Sequence, residues 1–197
     1  PKSRMPFSTK RGISCARALE MIADAHCRGL AVTADVCAHQ LILTEDDLEG
    51  FNSQCHLHPP LRTLADRDAL RDAVRAGLIN AVCSDHQPHE ADAKLAPFPS
   101  TAPGMAALET LLPLMLRLVA QGVLDLPSAI ARLTSGPAAI LGLPLGNLAC
   151  GQTADVCVFD PEAQWRIGPA TWRSQGHNTP FRGDPMTGRV TWTLLGG

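Results

Sequence analysis

Cys83-Ser84-Asp85-His86-Gln87-Pro88-His89 is the stretch of this chain best equipped for chemistry, because the apolar run Leu78 to Cys83 ends in a carboxylate flanked by imidazoles. In a parallel α/β barrel the strands present their working side chains at their C-terminal ends, so Asp85 stands where a strand would deliver a metal-binding acid to the mouth. Such a carboxylate can ligate a divalent ion and can accept a proton from the water that the ion activates. An ordinary loop aspartate between two surface histidines is the competing reading, and the heptapeptide alone leaves both open.

The elements around it must hold that strand end in place. Ser14 to Arg28 carries Ala16, Leu19, Ile22 and Ala23 at helical spacing, and Gly29 is placed to stop the helix. A strand is expected over Leu30 to Cys37. Gln54 to Leu57 runs into Pro59-Pro60, which excludes helix and fits a short strand entering a loop. Leu64 to Ala76 reads as a helix with Asp66 near its start and Gly77 as its stop, and the strand that ends at Ser84 follows. The polar, Pro-rich passage Gln87 to Pro103 is long for a connection inside a compact domain, a length that usually marks function. An apolar helix is expected from Met105 to Gln121, then two short helices over Ser128 to Leu133 and Pro137 to Leu141. The β-rich segments Ala154 to Asp160, Gln164 to Ile167 and Arg189 to Leu195 close the chain. This order predicts α/β architecture with a parallel sheet, most simply the last part of a barrel, followed by a small β-domain that needs further strands.

Composition narrows the function classes. The 197 residues are 45% apolar with a formal charge of −2 and contain no Lys/Arg-rich run, which gives no reason to invoke nucleic acid or an acidic membrane surface. No apolar run approaches the roughly 18 residues expected of a membrane span. The seven cysteines are scattered without a C-x-x-C pair, so reduced thiols in the cytosol are expected.

Longer strings carry a resemblance. SDHQPHEADAKLAPFPSTAPGMAALETLLPL resembles a stretch of the dihydroorotases, in which a T/S-D-H-x-P-H strand end precedes a D-K-x-x-P-F loop and a G-L-E helix. VTADVCAHQLILTEDDL is similar to the family's V-T-A-E-V-x-P-H-H-L-x-L-T-x-x-D, and HPPLRTLADRDAL to its N-P-P-L-R segment. ILGLPLGNLACGQTADVCVFDP and HNTPF match later family segments in the same order, from about Ser14 to Gly197.

The resemblance implies a metal-dependent (β/α)8 TIM barrel with a small β-sandwich, here an unmatched leader over 1–13, barrel elements from the fifth helix onward over 14–145, and part of the sandwich over 146–197. It implies zinc-dependent, reversible hydrolysis of dihydroorotate to carbamoyl aspartate in pyrimidine synthesis. His39 falls on the metal-binding histidine of the sixth strand and Asp85 on the metal-binding, proton-accepting aspartate of the eighth. His89 falls on a histidine that contacts the substrate carboxylate, and Pro103 and Gly104 on the loop whose backbone holds the ring. His58 stands where many members carry a substrate-binding asparagine. For His86 a supporting role is expected.

Departures from the pattern set further expectations. Catalytic zinc sites use about three protein ligands, and only His39 and Asp85 match, so the remaining ligands are expected upstream of this chain. Thr9 occupies the place of the fifth-strand histidine. The chain by itself is therefore expected to be inactive, and poorly soluble because a half barrel exposes sheet edges. The complete protein is expected to be a homo-oligomer. Two alternatives stay open: a non-catalytic homologue that serves as structural partner of aspartate transcarbamoylase, and a related cyclic amidase such as an allantoinase or hydantoinase.

Overall fold

The computed structural model describes residues 8–197, so the leader expected over 1–13 lies outside the described residues up to position 7. Three parallel strands form the central sheet in the order β1 (Ser8–Lys10), β2 (Val32–Cys37) and β3 (Ala81–Cys83). Helix α1 (Ala16–Cys27) connects the first two and α2 (Leu64–Ala76) precedes the third. Parallel strands joined by helical crossovers are the repeating unit of the expected barrel, and these strands are a part of one. Residues 8–10 thus lie in the sheet, in register with Val32, Thr33 and Ala34.

Local chemistry explains the helices. Thr63 caps α2 by accepting from the Asp66 N–H at 3.1 Å, and Gly77 closes it in the left-handed conformation at φ +80°. Asp66 also accepts from the N–H of Ala16 at 2.8 Å, which ties the starts of α1 and α2 together. Leu19 and Ile22 of α1, with Leu70, Ala73 and Val74 of α2, are buried against the sheet residues Ala34, Val36 and Val82 in one core.

Differences from the sequence expectations have identifiable causes. The short strand at 54–57 is replaced by a 3₁₀ turn, Ser53–Cys55, in which the Asn52 side chain accepts from the Gln54 N–H at 3.1 Å. The helix expected from Met105 begins only at Leu111 and ends at Ala120 (α3). Met105 instead extends the sheet through a parallel bridge to His86, and the N–H of Ala106 bonds the Asn178 carbonyl at 2.8 Å. Tertiary pairing has overridden helical periodicity there.

Helices α4 (Leu126–Leu133) and α5 (Ser135–Leu141) pack on β3, and Asp125 caps α4 by accepting from Ser128 N–H at 2.7 Å. The first two expected β-segments after them merge into one strand, β4 (Val156–Arg166), paired antiparallel with β5 (Pro185–Leu194). Asp160 accepts from the N–H groups of Glu162 and Ala163, which shapes the irregularity in register around Pro161. Met186 anchors this ribbon to the main core and is 1% exposed. No helix among the described residues is long and apolar enough to cross a membrane.

Candidate functional site

The C-terminal ends of β2 and β3 converge on the candidate site. His39 lies in the 3₁₀ turn Ala38–Leu41 directly after β2, and Asp85 lies two residues past β3. Metal-ligating atoms of His39, Asp85 and Cys37 all lie within 4.8 Å of one another. The sequence reading named the first two. Cys37 it passed over as one of seven scattered cysteines.

His39 is 2% exposed, and its Nδ1 has no hydrogen-bond partner. An unsatisfied ring nitrogen costs free energy in the interior unless something accepts its lone pair or its proton. Burial pushes the His39 pKa down to about 4, against an upward pull from Asp85, so the imidazole is neutral at physiological pH. A neutral imidazole beside a carboxylate is a donor set that fits a divalent cation. Cys37 is different, since the hydrogen bond with Cys83, then burial and the nearby acids, push its thiol pKa far up and keep it protonated.

Asp85 adopts φ +48°, a left-handed conformation uncommon for a residue with a side chain. The neighbours impose it. Cys83 is locked in register with Cys37, while His86 is already bridged to Met105, so the chain must turn within Ser84 and Asp85. Strain of about 1–3 kcal/mol held by flanking pairing is a common mark of working sites. His86 itself is committed to the backbone, its Nδ1 accepting from Ala107 and Leu108 N–H at 3.0 Å each.

Asp85, Cys37 and Cys83 line one cavity together with His58 and Thr9, and Pro137 and Ile140 of α5 form its far wall. His58 is exposed there. Thr9 meets Thr33 on the neighbouring strand, Oγ1 to Oγ1 at 3.0 Å, rather than the cluster around His39.

His89, Pro103 and Gly104 form a second group. His89 Nε2 bonds the Pro103 carbonyl at 2.9 Å, and the Gly104 N–H donates to the His56 carbonyl at 2.8 Å. Gly104 has φ +115°, and a Cβ there would stand 2.6 Å from that of Gln87, so only glycine fits. The backbone of this loop is thus engaged inside the protein, although each carbonyl retains a second lone pair that a ligand could use.

One organising residue, Asn178, escaped the sequence reading, and a second, Lys94, was open there between substrate contact and loop support. Asn178, 4% exposed in the HNTPF segment, accepts from His89 N–H at 2.8 Å and donates to the carbonyls of Gln87 and Gly104 at 3.0 and 3.1 Å. It bolts the loop after Asp85 to the loop at Gly104. Lys94, 5% exposed, donates from Nζ to the Ala102 carbonyl at 2.6 Å, while its own carbonyl accepts from Ser53 Oγ at 2.8 Å. The buried ammonium is a staple inside the long loop. For Asn178 the matching HNTPF string was the only signal available.

Known proteins are similar to this chain in sequence and fold. The amidohydrolase family model matches residues 15–197. A dihydroorotase-like protein of Pseudomonas aeruginosa is 53% identical over 185 residues, covering 94% of this chain and 44% of that protein. A dihydroorotase of Syntrophotalea carbinolica is 43% identical over 185 residues with the same coverage. The chain therefore spans less than half the length of these curated relatives. Among solved structures, an L-hydantoinase (dihydropyrimidinase) from Arthrobacter aurescens superposes with a TM-score of 0.88 at 28% identity, covering 96% of this chain and 43% of that one. An inactive dihydroorotase-like domain of a Chaetomium thermophilum CAD-like multifunctional protein, at 22% identity and a TM-score of 0.68, shares the fold. The chain belongs to the amidohydrolase family, and its described residues form an α/β, partial version of that fold.

Proposed function

We propose that this chain supplies one half of a metal-dependent cyclic amidohydrolase active site, with dihydroorotate as the ring substrate and zinc as the metal. The observation that carries the reading is the unpartnered, buried Nδ1 of neutral His39 beside the Asp85 carboxylate. Zinc suits a set of imidazole and carboxylate. In this reading the chain divides near residue 145 into a barrel segment and a β-sandwich segment, and the remaining ligands come from a preceding half barrel. A cytosolic setting accords with the free cysteines.

His39 and Asp85 would hold the ion. When bound, it supplies Lewis-acid polarisation of the ring carbonyl and a more acidic water. Asp85 takes a proton from the attacking water on a carboxylate oxygen as the new C–O bond forms, and returns it to the ring nitrogen as the C–N bond breaks. The reverse passage of the same proton closes the ring. His89 would meet the substrate carboxylate. Its Nε2 is held by Pro103, so the remaining ring nitrogen makes that contact, and as a donor only when the imidazole is protonated. His58 and the carbonyls of Pro103 and Gly104 would border the ring.

The 43% identity to a dihydroorotase favours dihydroorotate over hydantoin, for which the relation is structural at 28% identity. Expressed from the reading frame that contains it, the protein should hydrolyse dihydroorotate faster than hydantoin or allantoin and should lose that activity on chelation. Preference for hydantoin would reassign the substrate. A second reading, a non-catalytic homologue docked to aspartate transcarbamoylase, is favoured by one observation: Thr9 holds the β1 position where a ligand histidine is expected. A zinc-free protein that copurifies with the transcarbamoylase would establish it.

A further inference from the structure

Gln40 lies in the 3₁₀ turn after β2 and is 2% exposed. A buried amide costs free energy unless its donors are used. Its Nε2 donates to the carbonyls of Pro59 at 3.0 Å and Pro60 at 3.4 Å. Only the nitrogen end of an amide can serve two carbonyl oxygens, so the partners fix its orientation. Prolines carry no N–H, so the turn through residues 59 and 60 cannot be held by backbone donors of its own there. Gln40 supplies the donor from the neighbouring turn. That turn is itself anchored, because Arg71 Nε on α2 donates to the Leu41 carbonyl at 2.7 Å.

The residue that gains from this support is His58, which precedes the two prolines and lines the cavity together with Asp85. Leu57 and Leu61 on either side are each 3% exposed, so the core pins both ends of the segment and Gln40 holds its middle. The His58 ring has a lateral support as well, meeting the His56 ring edge-on with centroids 5.7 Å apart. His56 is fixed by Thr101. The single hydroxyl proton of Thr101 goes to the Phe98 carbonyl at 2.8 Å, so its oxygen accepts from His56 Nδ1 at 2.8 Å. An exposed imidazole is thus held in place by two buried polar side chains, Gln40 and Thr101, that never reach the cavity lining.

We propose that Gln40 is a positioning residue, which acts through the Pro59-Pro60 backbone to preset His58 against the ring substrate. The proposal rests on the reading of this cavity as the ring site. A preset wall spares the bound ring the entropy of ordering it, a gain felt in binding, whereas the proton transfer assigned to Asp85 is untouched. Loss of the Gln40 donor therefore falls on KM more than on kcat.

The test is Gln40→Met, which keeps the length of the side chain and removes the N–H, in the protein expressed from the reading frame that contains this chain. KM for dihydroorotate should rise about tenfold with kcat within about threefold of the parent. In a His58→Ala background, where the positioned imidazole is gone, the same substitution should raise KM by less than about twofold. Gln40→Asn, whose amide is one methylene too short, carries the same expectation should Gln40→Met fail to fold. An equal rise of KM in both backgrounds overturns the proposal, and so does a fall in kcat at unchanged KM. Histidine ring NMR of the substrate-free protein gives a readout without turnover: the His58 signals should shift in the Gln40 variant while those of the exposed His26 and His177 hold. Unshifted His58 signals overturn the proposal. A parent protein that hydrolyses no ring substrate, but whose His58 signals move with Gln40, removes the hydrolase reading and leaves the positioning of His58 standing.

Discussion

His89 and Asn178, separated by 89 positions, are joined by a 2.8 Å hydrogen bond from the His89 N–H to the Asn178 Oδ1. Through it the end of the chain fixes the loop that follows the candidate catalytic aspartate. The same amide holds Gln87 and Gly104, so one buried side chain sets the distance between two walls of the site.

Asn178→Ala should therefore be costly. It leaves a buried N–H and two carbonyls without their partner, a loss of about 3 kcal/mol in unfolding free energy. Asn178→Asp should also destabilise, because a carboxylate cannot donate to Gln87 and Gly104. Urea denaturation of both variants checks the magnitude, and the expected order is alanine and aspartate both well below the parent protein.

Lys94 makes a prediction about local order. Lys94→Met keeps the aliphatic stem but removes the donor to Ala102, a charge-assisted bond worth about 1.5–3 kcal/mol. Faster amide hydrogen exchange is expected at Leu95 to Gly104, with the core of α2 unchanged. Uniform protection across that loop in the variant would show that Lys94 is not its staple.

Acid should loosen the junction of α1 and α2. The Ala16 N–H bond, reinforced by Thr63, holds the Asp66 carboxyl below the usual carboxylate range. A depressed folded pKa contributes stability that is fully present above the unfolded value near 4 and is lost as pH falls through the folded one. Asp66→Asn should flatten the acid limb of the stability curve below about pH 4 and leave the protein less stable at neutral pH. Thermal melts of both proteins from neutral pH downward measure it.

The parts of the fold that were legible in the sequence are those fixed locally. Thr63, Asp66 and Gly77 announce α2 because capping and a left-handed stop are short-range chemistry, and Asp85 and His39 are visible because apolar strands end just before them. Contacts across long separations were not. No spacing rule pairs Cys37 with Cys83, since the register of two strands 46 positions apart decides it. Met105 to Thr110 keeps a helical apolar pattern yet is drawn to His86 and Asn178, a competition that only the assembled structure resolves.

Asp85→Asn, assayed with dihydroorotate in the protein expressed from the reading frame that contains this chain, tests the central claim most directly. Asparagine tolerates the left-handed backbone at this position and preserves the side-chain shape, so the fold should survive while the proton acceptor is lost. The account predicts a fall in kcat of about 10²–10⁴-fold with an unchanged melting temperature. Hydrolysis at the parent rate in the substituted protein would contradict it.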